Sequence, residues 1–389
     1  MTAGAATLMI CSLLTSFASS PLFPLYTARW DLRPWQVSLA FVGYPVGVLV
    51  VVLLLGGLSD RIGRRTTMLL GAGMIVLACA VTAVAWALPV LVAGRVLQGV
   101  ASGIVAGTTA AALQDFHPRG PNAGSVTHAF CTSLGMCVGP LMAGGLASRV
   151  SAPLVVPYVV IAVFALVPVL FVLRAPGDRR VAGPARIVRA VSVPRSIWLP
   201  FSIAAATLMT LNGCMALFGT FGARILEEGA GIASTGGTGT LLTVLIGMTL
   251  VSQLALRKVP APVCVTLAAP TIAVGAGVVA LALLETSAVA TFAGAALIGF
   301  GGGLALQGGT RMIGAVAPLD RRAEMYGAWM VIAFVMLGAT SLVAGLALGD
   351  APLSGVMAVA ATVFLALAAY VLANARRLHR RLASVDRRS

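Results

Sequence analysis

Apolar runs of bilayer length, one after another with only short charged gaps between them, constrain this 389-residue chain more than any single motif does. At a rise of about 1.5 Å per residue, about 20 apolar residues cross the hydrocarbon core of a membrane as a helix. Runs of that size lie near 3–26, 36–57, 67–87, 89–112, 123–147, 152–173, 197–221, 234–256, 261–284, 288–310, 325–347 and 352–375. Strand spans are excluded, because a barrel strand crosses in about ten residues of alternating polarity. Composition agrees: 59% hydrophobic residues, 10% charged residues and a mean hydropathy of +1.01 lie far outside the soluble globular range. The expected fold is an all-α membrane protein with twelve transmembrane helices.

The charges report topology. Of the 26 Lys and Arg, only Arg29, Arg33, Arg149 and Arg224 fall in the gaps on one side, and Arg95 alone lies inside a span. The rest, including Arg61, Arg64, Arg65, Arg119, Arg257, Lys258, Arg311, Arg321 and Arg322, collect in the gaps on the other side and in the tail. By the positive-inside rule that side is cytoplasmic, which puts both termini in the cytoplasm of a multi-pass cell-membrane protein. The net charge of +15 then implies attraction to a bilayer with anionic head groups. A nucleic-acid partner is not expected, since no aromatic-studded basic domain stands outside the membrane. The first 25 residues lack the basic n-region of a signal peptide, and their apolar run is too long for an h-region. Six Cys fall inside spans without metal-type spacing and are expected as reduced packing residues; no cofactor and no metal is expected. The five Trp sit at or near run ends, as an interfacial belt requires.

The polar stretch 174–196 divides the chain into an N-terminal six-helix bundle (1–173), a cytoplasmic linker (174–196), a C-terminal six-helix bundle (197–375) and a basic tail (376–389). A shift of 200 residues lays AGRVLQGVASGI at 93–104 on AGAALIGFGGGL at 293–304, matching Ala93 with Ala293, Gly94 with Gly294, Leu97 with Leu297, Gly99 with Gly299 and Gly103 with Gly303. The same shift pairs Pro118 with Pro318 and Ala123 with Ala323. Two pseudo-symmetric bundles around a central path are therefore expected. Arg95 faces Ala295 and Gln98 faces Ile298 across this repeat, so the polar pair belongs to the first half alone.

Three motifs carry the functional expectation. Between the second and third spans stands GGLSDRIGRR, with Gly56, Leu58, Ser59, Asp60, Arg61, Gly63, Arg64 and Arg65. The fourth span carries Arg95, Gln98 and Gly99 with Gly103 behind; the fifth carries Gly135, Gly139, Pro140, Ala143 and Gly144. In these residues the chain resembles the major facilitator superfamily, and more narrowly its twelve-helix drug:proton antiporter branch. The first stretch is similar to that superfamily's signature between helices 2 and 3, the second to its helix 4 motif R-x-x-Q-G. The third is similar to a helix 5 motif associated with exporters, from which it departs at Ala143, a change that still lets backbones approach closely. The resemblance implies export of small, fairly apolar compounds by proton-coupled alternating access, by a monomer.

Physical chemistry assigns roles within these motifs. A carboxylate at Asp60 opposite the N-terminus of the eleventh helix gains about 0.3–1 kcal/mol from the helix dipole and acts as a conformational latch, with Arg64 a partner for Asp115. Arg95 costs about 2.5–3.5 kcal/mol at membrane depth, so it faces a wet cavity or a partner, or snorkels to the interface. Gln98, one turn away, shares its face. Pro140 removes a backbone hydrogen bond, and the glycines around it permit a tight seam. Tyr44, His128 and Asn212 are uncharged polar groups that could line a cavity. Rival readings are an uptake permease for a small metabolite and a membrane-embedded enzyme. The second lacks its chemistry, because all eleven Asp and Glu lie in gaps or at run ends and His117, His128 and His379 are scattered. The same lack of a mid-span acid leaves the coupling group open among Asp31, His128, Asp60 and Arg95.

Overall fold

The computed structural model describes residues 1–174, 193–318 and 321–386. Most of the 174–196 stretch and the last residues of the tail lie outside them. Among the described residues twelve helices are long and apolar enough to cross a membrane. They are α1 (Thr2–Trp30), α2 (Pro34–Leu54), α3 (Arg64–Ala83), α4 (Leu88–Phe116), α5 (Ala123–Ala147), α6 (Val156–Leu173), α7 (Trp198–Ala230), α8 (Thr235–Ala255), α9 (Ala261–Glu285), α10 (Ala288–Val316), α11 (Glu324–Ala347) and α12 (Leu353–Leu378). The fold is all-α, and no strand occurs among the described residues.

Proline and glycine chemistry explains where these helices depart from ideal rods. α1 is interrupted by a 3-10 turn at Ser20–Leu22, where Pro21 and Pro24 withhold backbone donors. α6 breaks at Ala165, because Pro168 cannot bond the carbonyl four residues back at Phe164. α7 runs beyond its expected end to Ala230 and turns out of helical geometry at Phe221, between Gly219 and Gly222. The 200-residue shift lays that kink on Pro21, so the first span of each half bends at the same place by different means. Beyond α12 the helix continues through the tail to Asp386.

The chain forms two compact units. The first is Met1–Arg189 with Ser234–Thr243 and Ser341–Gly349, and the second is Ala190–Ala233, Val244–Thr340 and Asp350–Ser389. The start of α8 and the end of α11 thus pack with the first six spans; Ser38 Oγ donates to the Ser341 carbonyl at 2.7 Å. In the first unit α1 is the most enclosed span, and in the second α7 is. Outer spans leave large apolar side chains bare, as Val159, Val163, Leu166 and Leu170 do on α6. Contiguous apolar surface of this kind is stable only against lipid.

Glycines set the close contacts inside each unit. A Cβ at Gly99 would strike the Tyr44 carbonyl of α2, and one at Gly299 would strike the Leu245 carbonyl of α8. Trp329 departs from the interfacial expectation. It is fully buried in the second unit, its Nε1 donating to the Ala204 carbonyl at 3.1 Å, whereas Trp86 and Trp198 are exposed. The six Cys are unpaired.

Candidate functional site

Arg95 organises the polar interior of the first unit. α4 carries it on the face that presses against α1 and α2, and its side chain is 1% exposed. Nη1 donates to the Ser16 carbonyl at 2.8 Å and to Gln98 Oε1 at 2.5 Å, while Nε donates to the Ala40 carbonyl at 3.3 Å. The guanidinium lies 5.3 Å from the centre of the Tyr44 ring and 6.0 Å from that of Phe23, close enough for cation–π attraction. The charge is therefore held inside by neutral acceptors and ring faces, and the side chain does not snorkel.

A chain of hydroxyls extends from this centre. Ser19 Oγ donates to Gln98 Oε1 at 3.4 Å, and the Tyr158 hydroxyl donates to Ser19 Oγ at 3.1 Å. Gln98 Nε2 reaches Thr82 Oγ1 at 3.5 Å. On the other side the Tyr44 hydroxyl meets Ser16 and Ser102, and Ser102 Oγ is bonded to Ser12 at 3.0 Å and Ser16 at 2.7 Å. Motif reasoning misses Ser12, Ser16, Ser19, Ser102 and Tyr158. A signal was present all the same: Ser12, Ser16 and Ser19 stand at i, i+4 and i+7 on α1, and Arg95, Gln98 and Ser102 at i, i+3 and i+7 on α4, so each set lines one helix face. Chemically the cluster is a fixed positive charge surrounded by groups that both donate and accept. It can polarise a ligand oxygen or reorient hydroxyls, but the guanidinium does not itself release a proton.

The charged loop before α3 forms a second cluster. Gly56 opens the turn after α2, and a short helix, Leu58–Ile62, leads into Gly63, whose φ of 93° is a conformation that a side chain would strain. That turn aims Arg64 back over the loop. Its Nη1 contacts Asp60 Oδ1 at 2.7 Å and Ser59 Oγ at 2.5 Å, and its Nε contacts Asp115 Oδ2 at the end of α4 at 3.4 Å. One guanidinium thus joins the loop to α4, and Asp60 is paired within its own unit. Arg65 Nη2 donates to the Leu173 carbonyl at 2.8 Å, tying α3 to the end of α6, and Arg61 is exposed.

On α5 the glycines face two ways. Gly135 and Gly139 abut the carbonyls of Ile10 and Leu14 on α1. Gly144 abuts Thr235 and Gly239, and the Pro140 carbonyl in turn abuts Gly239. Thr243 Oγ1 donates to the Cys137 carbonyl at 3.1 Å, using an acceptor close to the one that Pro140 disturbs. Of the remaining candidates, Tyr44 joins the Arg95 cluster. Asn212, on α7, gives its amide to Leu208 one turn back at 3.0 Å. His128 stands apart from that cluster, on the α5 stripe that continues through Gly124, Gly135 and Gly139. Among the described residues no group of three or more His, Cys, Asp or Glu is arranged to hold a metal.

Comparison with known proteins adds four findings. Over 109 residues the chain is 38% identical to a triacylglyceride transporter of Mycolicibacterium hassiacum, covering 27% of this chain and 20% of that one. Over 172 residues it is 34% identical to the class C tetracycline resistance protein of Escherichia coli, covering 42% of this chain and 41% of that one. The chain thus spans about a fifth to two fifths of the length of these curated relatives. A crystal structure of a POT family transporter in complex with a thioalcohol-conjugated peptide superposes with a TM-score of 0.77 at 11% identity, covering 96% of both chains, a likeness of fold. The model of the Major Facilitator Superfamily matches residues 5–293, most of the chain and all three motifs. With twelve bilayer-length helices, a matching fold and a family match of that extent, this multi-pass membrane protein belongs to the Major Facilitator Superfamily.

Proposed function

We propose that the protein is a secondary active transporter of the cell membrane, with both termini cytoplasmic, that exports small, fairly apolar compounds in exchange for protons by alternating access. What carries export over uptake is the likeness of the α5 run Gly139, Pro140 and Gly144 to a motif of exporters; that run packs backbone to backbone against α1 and the start of α8. Such a contact excludes side chains and water, so it limits leak through the first unit while other helices move. Similarity to a tetracycline resistance protein supports the same direction of transport. The buried Arg95 cluster supports polar contact with a carbonyl or hydroxyl of an otherwise apolar ligand, since it gathers polar groups at one place among largely apolar spans. Asp60 acts as a conformational latch, its charge held by Arg64 in the present arrangement. The six-plus-six division remains the working domain arrangement, with the protein acting as a monomer.

The test is transport in everted membrane vesicles energised by an imposed pH gradient, with tetracycline and a panel of toxic apolar compounds. Uptake into everted vesicles by the wild type, lost in Gly144→Leu, is the expected outcome. Accumulation in right-side-out vesicles in its place would assign the protein to uptake.

A further inference from the structure

We propose that His128 is the group that takes up and releases the coupling proton. The inference rests on the proton-exchange reading above. His128 Nε2 is shut off from solvent and has no hydrogen-bond partner among the described residues, while the ring bonds the backbone of Ala106 on α4. An imidazole that donates one N–H to a carbonyl keeps its second nitrogen as a free lone pair, which is a proton acceptor. About 7.5 Å of helix separates Ala123, the first residue of α5, from His128, so the acceptor lies between one and two turns inside that end of the span.

Packing does not demand a histidine here. Gly124 and Gly135 on the same α5 stripe abut Leu113 of α4 and Ile10 of α1, so close backbone packing stands on either side of the ring, which forms one wall of a wedge against α4. The residue 200 positions on is Ala328, which is 2% exposed and apolar, so the second half fills its equivalent place without a titratable group. The titratable and charged groups on the elements packed against α5 are Arg95 and Asp115 on α4, Met1, Cys11, Tyr26 and Arg29 on or next to α1, and Tyr158 on α6; Cys131 and Cys137 stand on α5 itself. What acts on the ring is its burial and the Ala106 backbone. His117 beyond α4 reaches only as far as Thr127, at 3.3 Å from its Oγ1.

Coupling follows from the missing acceptor. Protonation forms one N–H bond at Nε2 and one positive charge, taken from a hydronium ion that leaves as water. The present arrangement supplies neither an acceptor nor a counter-charge for them, so the imidazolium favours a conformation in which the wedge opens to water or to a carbonyl. Release of the same proton on the opposite side restores the neutral ring. One proton is moved per cycle, with no other bond changed.

Two experiments on the full chain in lipid vesicles decide the matter. Histidine-selective ¹⁵N NMR, which needs no substrate, should show the His128 ring passing from one to two protonated nitrogens between about pH 5 and 8. A ring that stays neutral throughout overturns the proposal. With tetracycline as the probe, H128N and H128Q should lose acceleration by a pH gradient while retaining tetracycline counterflow at equal pH. Gradient-driven transport persisting in either variant overturns the proposal, and so does loss of counterflow in both, which would make the ring a packing element. A wild type that shows counterflow and ignores the gradient overturns the proton-exchange reading itself, and with it the role of His128.

Discussion

α4 and α10 are built on one glycine pattern and carry different chemistry. Gly94 meets Thr82 on α3, and Gly294 meets Val279 on α9; Gly99 and Gly103 press on α2, while Gly299 and Gly303 press on α8. Between those glycines α4 holds Arg95 and Gln98, each 1% exposed, and α10 holds Ala295 and Ile298, each fully buried. The loops repeat the contrast. Before α3 an arginine joins two carboxylates, whereas before α9 Arg311 donates to the carbonyls of Arg257 at 2.6 Å and Val259 at 3.2 Å, with Gln307 on the carbonyl of Leu256 at 2.8 Å. The two helices share the close packing, where one added methyl group is felt. Electrostatics was free to diverge, because an Ala–Ile pair fills the same place at no desolvation cost.

The sharpest way to break the comparison is to exchange its charged member. Arg95→Ala is expected to abolish substrate-dependent transport and Arg95→Lys to retain part of it, measured in vesicles under a pH gradient; undiminished transport by Arg95→Ala would reduce the cluster to packing. The converse change, Ala295→Arg, introduces a charge without built acceptors at a cost of about 2.5–3.5 kcal/mol or more, and should leave little folded protein in the membrane fraction.

Next in size are the shared glycines. Gly99→Leu and Gly299→Leu should destabilise alike, by about 1–3 kcal/mol or more, because each side chain meets a backbone carbonyl that cannot move aside. Thermal unfolding in detergent measures both. A tolerant second half would mean that only α4 requires the close approach.

Gln98→Leu removes a charge-assisted hydrogen bond to Arg95, a loss of about 1.5–3 kcal/mol, whereas Ile298→Leu should cost less than about 1.5 kcal/mol. Equal shifts in unfolding temperature would show that Gln98 serves only to fill space. Smallest in stability is Asp60→Asn. Its partly exposed pair with Arg64 is worth about 0.2–1 kcal/mol, so the variant should fold and insert normally while transport slows. Wild-type rates in vesicles would leave this loop a topological signal only.

Span number, helical class and the three motifs were legible from sequence because they depend on local quantities: run length, charge spacing and the residues that backbone geometry tolerates. Gly63 is an example, since its positive φ is a property of one turn. The partners of Arg95 on other helices were not legible, because Ser16, Ala40 and Tyr44 lie 79, 55 and 51 positions away and all three contacts use a backbone carbonyl or a ring face, which leave no pattern in residue type. Snorkelling and burial were both open to a linear reading, and α4 packing against α1 and α2 decided between them.

What the sequence by itself determined is that this chain crosses a membrane twelve times and repeats itself once, since hydrophobic length and a 200-residue glycine register are written residue by residue. What only the tertiary structure decided is which polar groups within the spans are satisfied. Trp329 leaves the interface because a carbonyl on α7 takes its N–H, Arg95 stays inside because three helices supply acceptors, and His128 keeps a bare nitrogen because α4 supplies a partner for only one side of its ring. Satisfaction of a polar group is set by what approaches it from other helices, and in a membrane, where water supplies no substitute partner, that approach governs the chemistry.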